Sequence, residues 1–524
     1  MTSLRPELKN IIKQSSETGG GTLTRYHVKL KTDPSSKHEP YKKLTFGERD
    51  KNKPHKTILM VGETRTGKTT LINVMINYIL DVQREDKIWF EITDDQSDQS
   101  VAYSQTSSIT VYGFYLQESL IDLTIIDTPG YGNIRGIKND QEIAKSLLSL
   151  SQSASGIQID AVCLVMKETE NLSDRQMYIF DAVQSLFGKD IAENIVLLFT
   201  HSDGMRPKNA LTAVKEAEIK CAVNDKNQPV YFLFNNRQSD AADEDFQKIQ
   251  KQSWILSYTG MTEFFKVLET LQPKTLKMTR DVLQQREQLE ANINILQSHV
   301  QVMEQKQNTL KQTQKALEQN RNYVRAQNDI KYEVKVTYKE KIPIDLKYRN
   351  RTKEATCCTV CEENCHYPGC WWVTDLSWCS VMKDNHCTVC TKKCHYSRHV
   401  KEAKIYVTKT KIEKRTHEKI KREYDGKIVD SESLVRNLEE ELQELDKEKI
   451  KLVFEAFHCM QTLQMIALNT DSLLTLLHVD FLIQKLKEIN GSEKAKTLEN
   501  IKKKTGEEKQ GALGYIIGLL SKNV

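Results

Sequence analysis

The chain has 524 residues, of which 28% are charged and 39% hydrophobic, and its formal net charge is +5 at pH 7. This length exceeds one ordinary hydrophobic core, so we expect about two to four structural units. Basic and acidic residues are interleaved, which argues against nucleic acid as a partner, because proteins that bind it concentrate lysine and arginine on one face.

The sequence carries no clear signal for secretion or for membrane insertion. Its amino-terminal stretch lacks an apolar core followed by a cleavage site, and Thr2 excludes the glycine needed for myristoylation. The longest apolar run, GALGYIIGLL from Gly511, is shorter than the roughly 20 residues that span a bilayer. We therefore expect a cytoplasmic protein without a transmembrane helix.

The first two segments differ sharply in pattern. Residues 1–54 are polar, contain glycine- and serine-rich stretches and show no sustained hydrophobic period, which predicts a disordered tail. Across residues 55–272, short apolar runs alternate with stretches long enough for helices, which predicts an α/β domain. The strand-like runs are KTILMVG, SITVYGFYL, LIDLTIID, DAVCLVM, NIVLLFT and PVYFLFN, which begin at Lys56, Ser108, Leu120, Asp160, Asn194 and Pro229.

A phosphate-binding motif follows the first of these strands. GETRTGKTT matches the P-loop pattern G-x-x-x-x-G-K-[ST] in its strand-loop-helix context. Gly62 and Gly67 allow backbone N–H groups to surround phosphate oxygens, Lys68 reaches the β and γ phosphates, and the Thr69 hydroxyl binds Mg2+. The predicted nucleotide-binding loop is Gly62, Glu63, Thr64, Arg65, Thr66, Gly67, Lys68, Thr69 and Thr70.

Two later motifs complete the predicted phosphate site. In LTIIDTPG, Asp127 ends an apolar strand and can hold the magnesium shell, while the Gly130 amide can sense a γ phosphate. In SQTSSIT, the Thr106 hydroxyl can bind the ion, with Ser108 and Thr110 as alternatives. We predict three catalytic residues, Lys68, Thr106 and Gly130, and three magnesium ligands, Thr69, Thr106 and Asp127.

The choice of base is predicted from the ends of two later strands. In LLFTHSDG, Asp203 can accept two hydrogen bonds from guanine, and adenine presents no matching pair of donors. Thr200 ends the strand, and His201 occupies the usual lysine position, where it can stack on the base. In FNNR, Asn235 and Asn236 follow the last strand, where a backbone amide can meet the guanine oxygen. The predicted ligand is GTP with Mg2+.

These motifs carry a family resemblance. GETRTGKT, SQT, DTPGYG, the T-x-x-D box and FNNR resemble the septin and immunity-associated (AIG1-type) branch of P-loop GTPases. FNNR is closer to the immunity-associated family, whereas DTPGYG is similar to septins. The resemblance covers residues 56–272, about two-fifths of the chain. It implies a six-stranded core, slow GTP hydrolysis and nucleotide-dependent pairing of G domains.

Residue 131 departs from the small GTPases, in which a glutamine at this position orients the attacking water. Here the residue is Tyr131, whose phenol suits that role poorly. We therefore predict low intrinsic turnover, with help from Thr106, a partner subunit or an external activator.

Heptad spacing of hydrophobic residues begins after Pro273. It indicates a coiled-coil seam in glutamine- and lysine-rich sequence, with its first limb at Val282, Leu289, Leu296, Met303, Leu310, Leu317 and Val324 and its second at Val435, Leu438, Leu442, Leu445 and Leu452. Strand-like alternation borders a cysteine-rich segment between them. We predict an all-α antiparallel coiled-coil hairpin, with limbs over 273–330 and 410–456, and a small zinc-binding β tip over 331–409. Residues 457–524 are predicted to be helical and either to pack on the α/β domain or to meet a partner.

The predicted tip repeats the phrase C-x-x-C-x-x-x-C-H-x-x-x-[CH], beginning at Cys358 and Cys387. In a reducing compartment this clustering favours metal over disulfides, and each copy offers the four soft ligands of a structural zinc site. The predicted ligands of two zinc ions are Cys358, Cys361, Cys365, Cys370, Cys387, Cys390, Cys394 and His399, with His366 and His395 as alternates. Either each copy binds its own ion, or the two C-x-x-C turns share one ion and the later ligands the other.

The sequence therefore predicts a slow GTP hydrolase whose nucleotide state controls G-domain dimerisation or larger assembly. The zinc tip is predicted to bind a protein partner. One alternative is a GTP-binding scaffold with little hydrolysis. Another is a dynamin-like GTPase that touches membranes through its terminal ALGYIIGLL and its basic stalk.

Overall fold

The computed structural model describes all residues outside the ranges 1–3, 20–22, 37–38, 93–107, 118, 133–136, 153–156, 170–171, 239–246, 321–330, 345–353, 368–374, 417–430, 504–506 and 522–524. The chain forms two compact units. The first comprises Met1–Leu283, Gln464–Leu477 and Lys502–Val524, and the second comprises Gln284–Leu463 and His478–Ile501.

The first unit is an α/β domain. Its strands are β1 (Ser15–Gly19), β2 (Thr24–Val28), β3 (Lys31–Thr32), β4 (Lys42–Phe46), β5 (His55–Gly62), β6 (Ile88–Glu91), β7 (Thr110–Phe114), β8 (Asp122–Asp127), β9 (Gln158–Ile159), β10 (Ala161–Lys167), β11 (Ile195–Thr200), β12 (Tyr231–Leu233) and β13 (Lys274–Thr275). Its helices up to residue 270 are α1 (Pro6–Lys13), α2 (Lys68–Ile79), α3 (Ile137–Gln152), α4 (Asp174–Gln184), α5 (Lys208–Glu216) and α6 (Gln247–Thr270).

The main sheet has eight strands in the order β12-β11-β10-β5-β8-β7-β4-β3. All six predicted apolar runs are confirmed as strands, because β5, β7, β8, β10, β11 and β12 coincide with them. The neighbours from β12 to β8 are parallel, so the carboxyl ends of β5, β8 and β11 lie at one edge of the sheet. That edge is where parallel α/β sheets bind ligands.

The prediction of a disordered tail over residues 1–54 is wrong for the described part of that segment. β4 pairs in parallel with β7 and antiparallel with β3, which extends the six-stranded core to eight strands. β1, β2 and β6 form a second sheet. Leu8, Val28 and Phe46 are buried in the core of the domain. These contacts join residues far apart in the chain, so the polar local composition does not reveal them.

Two long helices follow the α/β domain, α7 (Lys277–Asn320) and α8 (Ser431–Ile466). His299 Nδ1 lies 3.7 Å from a Glu448 carboxylate oxygen, and an ion pair joins Lys306 to Glu441 at 2.5 Å. Lys306 lies seven residues after His299 on α7, whereas its contact Glu441 lies seven residues before Glu448 on α8. The two helices therefore run antiparallel. Of the predicted seam residues, Val282, Leu289, Leu296, Met303, Leu438 and Leu452 are buried, Leu310, Val435, Leu442 and Leu445 are partly buried, and the Leu317 side chain and Val324 lie outside the described residues. Coiled-coil packing itself stays a prediction.

The predicted strands beside the cysteines pair with each other. β14 (Lys331–Pro343) and β20 (Lys404–Thr416) form an antiparallel ladder of 13 residue pairs. Residues 410–416, predicted as the start of the second helical limb, therefore belong to a strand. Between them lie β15 (Ala355–Cys358), β16 (Glu363–His366), β17 (Met382–Lys383), β18 (His386–Cys387) and β19 (His399–Glu402). Residues 355–402 are called the cysteine module below.

The cysteine module does not lie at the end of the helical hairpin, so the prediction that it forms the tip of the hairpin is wrong. Gln288 Nε2 donates to the Thr388 carbonyl at 2.7 Å, and His299 Nε2 lies 3.2 Å from Glu363 Oε1. At 1.5 Å per residue, His299 lies about 30 Å before the end of α7 at Asn320. The ribbon of β14 and β20 folds back along α7, where Ser298 and Thr408 contact each other. Buried polar contacts with the helix therefore hold the module beside it.

The remaining helices are α9 (Leu473–Glu488), α10 (Ser492–Lys503) and α11 (Glu507–Ser521). Most of the described residues in 457–524 are therefore helical, as the sequence predicts. Helix α11 packs on α4 of the α/β domain, where the rings of Tyr178 and Tyr515 lie 6.1 Å apart and Ile516 is buried. Across the described ranges, no helix combines the length and apolar character needed to cross a bilayer.

Candidate functional site

The loop between β5 and α2 folds around its own lysine. Gly62 and Gly67 have φ values of +147° and +84°, and a Cβ on Gly62 would lie 2.3 Å from the Val165 carbonyl oxygen. Lys68 Nζ donates to the carbonyls of Gly62 and Glu63 at 3.1 and 2.8 Å. Helix α2 begins at Lys68, so its N-terminus faces the loop. This backbone geometry can surround an anion, as the P-loop pattern predicts.

Burial controls the charge of this lysine. Desolvation lowers the pKa of Lys68 to about 8, although the carboxylates of Asp127 and Glu63 oppose the shift. An ammonium held in a dry loop beside these carboxylates is poised to interact with an added phosphate.

The D-x-x-G motif touches the P-loop directly. The Tyr131 N–H donates to the Gly62 carbonyl, and the Thr64 N–H donates to the Tyr131 carbonyl, both at 3.1 Å. A Cβ on Gly130 would stand 2.4 Å from the Thr64 Cα, so only glycine fits there without a shift. Asp127 is buried at the end of β8. The structure thus brings the predicted Asp127 and Gly130 to the loop that holds Lys68.

Of the predicted magnesium ligands in the SQTSSIT segment, Thr106 lies outside the described residues. Its two alternatives are described: Ser108 is partly buried, and Thr110 begins β7 opposite Asp127 in the ladder. The Thr110 position places a hydroxyl-bearing residue next to the strand end that carries Asp127.

Tyr131 is enclosed in the domain. Its side chain is 1% exposed, and burial together with the nearby Asp140 carboxylate raises the pKa of the phenol well above its ordinary value. Tyr178 donates to the same carboxylate at 2.5 Å. A buried, protonated phenol cannot serve as a base.

The loop after β11 borders the P-loop. Thr200 Oγ1 donates to the Thr66 carbonyl at 2.6 Å, and His201 Nδ1 lies 3.1 Å from the same hydroxyl. The His201 ring reaches within 4.0 Å of a Cβ built on Gly67. Burial and the charges of Lys167 and Arg237 lower the His201 pKa, which favours a neutral ring.

The predicted base-reading residues lie on neighbouring turns. Asp203 is exposed, and its Oδ1 accepts the Met205 N–H at 2.7 Å. Asn236 is held by Ser257, whose hydroxyl donates to Asn236 Oδ1 at 3.2 Å. The Asn236 side-chain nitrogen is buried and finds no hydrogen-bond acceptor in the described part of the chain. Buried polar atoms in proteins are usually paired, and this unpaired one lies on the turn that the sequence assigns to the base.

Three residues at this edge were missed by reasoning from the sequence. Arg175 pairs with Glu63 at 2.5 Å and donates to the Gly132 carbonyl at 2.9 Å, which connects α4 to both phosphate motifs. Glu168 accepts the Asp203 N–H at 2.9 Å, and the Ser257 hydroxyl accepts the Asn235 N–H at 3.0 Å. No motif marks these residues, because each reaches the site through a contact with a distant element.

The parallel sheet, the glycine loop around Lys68 and the strand-end motifs define a P-loop nucleotide-binding domain. Residues 56–257 match the AIG1 family, and this segment is an AIG1-type GTPase domain. The family identified from the sequence is thereby confirmed for this part of the chain. No curated protein matches the chain.

Solved structures of Toc33 from Arabidopsis thaliana are similar to part of the chain. The complex with Mg2+ and GMPPNP is 15% identical, with 42% of this chain and 87% of that chain covered and a TM-score of 0.28. The complex with GDP and Mg2+ is also 15% identical, with 42% and 86% covered and a TM-score of 0.29. A dimerization-deficient mutant has the same identity and coverage as the GDP complex and a TM-score of 0.28. Similarities with TM-scores below 0.5 establish nothing further about this chain.

The cysteine module forms a second candidate site. One group of ligand atoms comes from Cys358, Cys361, Cys390 and Cys394, and another comes from Cys365, Cys387, Cys390 and His399. Within each group the atoms all lie within 4.8 Å of one another. Each group mixes both copies of the phrase, so neither predicted ligand arrangement is found among the residues that the structure describes.

Three further residues were predicted as ligands or as alternates. Cys370 is outside the described residues. His366 Nδ1 is 3.2 Å from Cys379 Sγ, and His395 Nδ1 is 2.9 Å from Ser397 Oγ, so neither alternate joins the two groups. The cysteines that the structure describes are free of disulfides. Thiol and imidazole donors at these distances fit zinc, which takes four such ligands in a closed site.

Proposed function

We propose that the AIG1-type domain binds GTP with Mg2+ and hydrolyses it slowly, as a switch for self-association and partner binding. One observation carries the proposal. The P-loop lysine and the D-x-x-G motif share one sheet edge with a base-reading turn whose buried Asn236 amide lacks an acceptor among the described residues. Such an edge combines phosphate, magnesium and base contacts.

The chain's residues would divide the work as follows. Lys68 and the loop N–H groups bind the β and γ phosphates, and Asp203 and Asn236 orient the base. Thr69 and Asp127 would hold Mg2+, with Thr106 as a further ligand. When bound, the ion neutralises charge on the phosphates. The Gly130 N–H would sense the γ phosphate, because Gly130 packs against Thr64 of the P-loop.

Low intrinsic turnover follows from the enclosure of Tyr131. Its phenol is buried beside Asp140 and cannot orient a water molecule at the phosphates. We therefore propose that a second G domain or an external activator supplies the missing group. Phosphate release, measured over a range of protein concentrations, should rise more steeply than the concentration of protein. Activated rates that stay proportional to it would contradict this proposal, and no release at high concentration would favour a GTP-binding scaffold.

Nucleotide binding itself is tested by Lys68→Ala. Loss of the buried ammonium should abolish GTP binding, because the loop N–H groups and Mg2+ do not replace the positive charge that Lys68 places beside the β and γ phosphates. Lys208→Ala is the matched control, because Lys208 is exposed at the start of α5 in the same domain. Equilibrium titration with a fluorescent GTP analogue gives the affinity, and circular dichroism checks that the helices remain. Wild-type binding by Lys68→Ala would overturn the assignment.

We also propose that the cysteine module binds structural zinc and that α7 and α8 form a coiled coil. The hydrophobic cluster in which the module takes part is small, with Ala355 and Cys357 of the module and Ile344, which follows β14, as its buried members. Metal ligands can replace a core that so short a segment does not build. If the wild type retains no zinc after purification and zinc addition, the zinc proposal fails.

We also propose a protein partner for the cysteine module and a cytoplasmic location. Trp378 is 78% exposed on the cysteine module, which supports a protein contact there in a cytoplasmic protein. The terminal ALGYIIGLL supports domain packing more than membrane contact, because Ala512 and Ile516 are already buried. Flotation of the protein with liposomes, in GTP-analogue and GDP states, tests the membrane alternative. Flotation in either nucleotide state would support the membrane alternative.

A further inference from the structure

Cys390 belongs to both groups of ligands in the cysteine module. It completes a set of four with Cys358, Cys361 and Cys394, and a second set of four with Cys365, Cys387 and His399. If Cys390 served only one metal ion, the described residues would leave three ligands for the other. Closed structural zinc sites take four.

We propose that the cysteine module holds a two-zinc centre in which the Cys390 thiolate bridges the ions. This inference rests on the proposed structural zinc role and adds its arrangement. A thiolate sulfur has more than one lone pair, so it can donate to two zinc ions at once. Cys358, Cys361 and Cys394 are the terminal ligands of one ion, and Cys365, Cys387 and His399 are those of the other.

The proposed centre carries excess negative charge, and nearby backbone N–H groups can stabilise it. Six thiolates carry a charge of −6 and two zinc ions a charge of +4, so the centre has a net charge of −2. Backbone N–H groups point at the sulfurs that carry this excess. The Cys394 N–H lies 3.2 Å from Cys390 Sγ, and the N–H groups of Val389 and Cys390 both lie 3.3 Å from Cys387 Sγ. Such hydrogen bonds stabilise charge in a site that is largely buried.

The arrangement also explains why the phrase occurs twice. The first C-x-x-C turn shares an ion with Cys394 of the second copy, and Cys365 of the first copy shares an ion with Cys387 of the second. The two copies therefore interleave around the bridge instead of folding separately. Sulfurs from the two copies approach each other accordingly, with 3.8 Å between Cys361 and Cys394.

The bridge is tested on the full-length wild type with cobalt(II) in place of zinc. One thiolate between two cobalt ions couples their spins, so the electron paramagnetic resonance signal should rise with the first equivalent and fall with the second. Two equivalents whose signals simply add would overturn the bridge while leaving structural metal binding intact. No bound cobalt or zinc would overturn the underlying zinc proposal instead.

Zinc counts in variants provide an independent check. Cys390→Ser should lose both ions, Cys394→Ser should lose one, and Cys370→Ser should keep both. Cys357→Ser is the control, because its sulfur contacts Asn364 and the Lys404 carbonyl, not either ligand group. If Cys370→Ser loses one ion and Cys390→Ser also loses only one, the module has two separate sites. That result would overturn the bridge.

Discussion

At the residue scale, Lys68 combines a buried ammonium with an anion-binding loop. In the free site its hydrogen bonds go to carbonyls of the loop itself, and burial lowers its pKa from near 10.5 to about 8. Phosphate groups beside the ammonium would raise that pKa again. Nucleotide binding should therefore be linked to proton uptake at alkaline pH.

This linkage has a definite sign. The free site loses its proton as pH rises through about 8, whereas the bound lysine stays charged, so GTP affinity should fall above that pH by up to about tenfold per unit. Calorimetry at pH 8 to 9, in buffers with different ionisation enthalpies, should show uptake of a proton on binding. Lys208→Ala should behave like the wild type. Binding without proton uptake at pH 8.5 would contradict the prediction.

Asp203 sets the predicted preference for guanine. In Asp203→Asn, the amide can donate where the carboxylate accepted, so binding should shift from GTP toward xanthosine triphosphate. Each lost charge-assisted hydrogen bond should weaken GTP binding by about 1.5–3 kcal/mol. The amide oxygen of asparagine can still accept the Met205 N–H, which preserves the turn. Competition titration with GTP, xanthosine triphosphate and ATP measures the change, and tight ATP binding by the wild type would refute the guanine assignment.

At the element scale, one histidine connects the cysteine module to the long helices. His299 lies between Glu363 of β16 and Glu448 of α8, at 3.2 and 3.7 Å. Burial alone would raise the pKa of Glu363, but hydrogen bonds from His299 and Thr391 bring it below its ordinary value. The carboxylate is therefore charged inside the interface and needs its donors.

Replacement of His299 should destabilise the packing of the cysteine module against α7. His299→Phe leaves the buried Glu363 without one donor, at a cost of about 1–3 kcal/mol. Lys306→Ala, one heptad further along α7, breaks an ion pair whose side chains are 32% and 39% exposed and should cost less than about 1 kcal/mol. Hydrogen exchange of residues 355–366 reports the difference. Equal protection in the two variants would count against the role of His299.

The docking of α11 on α4 depends on a small residue. A Cβ on Gly511 would lie 2.3 Å from Asp174 Oδ1, whereas a Cβ on Gly514 would meet nothing within 4 Å. The exposed Asp174 carboxylate can rotate away from a single Cβ, but the branched side chain of Gly511→Val is bulkier and should increase hydrogen exchange in α11. Gly514→Ala should instead stabilise this helix by about 0.8–1 kcal/mol, because alanine has the higher helix propensity. Both variants should keep wild-type GTP affinity, and unchanged exchange in Gly511→Val would contradict the packing argument.

At the scale of the whole molecule, the central prediction is assembly controlled by nucleotide. Native mass measurements should show a larger species with a non-hydrolysable GTP analogue than with GDP, because a ligand that binds one state better shifts the population toward it. Lys68→Ala should remain in the same state with either nucleotide. A mass that is identical in both nucleotide states of the wild type would rule out the switch.

Several parts of the chain were predictable from the sequence because their signals are local. Buried parallel strands need continuous apolar runs, a phosphate loop needs a contiguous glycine-lysine motif, and long helices need a period near 3.6 residues. The six core strands and the course of α7 and α8 follow from these patterns. The cysteine spacing likewise identified seven residues that meet in the two ligand groups.

Only the tertiary structure decided which distant residues meet. It added β3 and β4 to the sheet, placed the cysteine module beside α7, grouped the ligands across both copies of the phrase and brought Arg175 to Glu63. None of these contacts has a local period, since each depends on the energy gained when elements far apart in the chain bury polar or apolar surface against each other. The sequence by itself thus determined the elements and the chemistry of their side chains, and tertiary packing determined their partners.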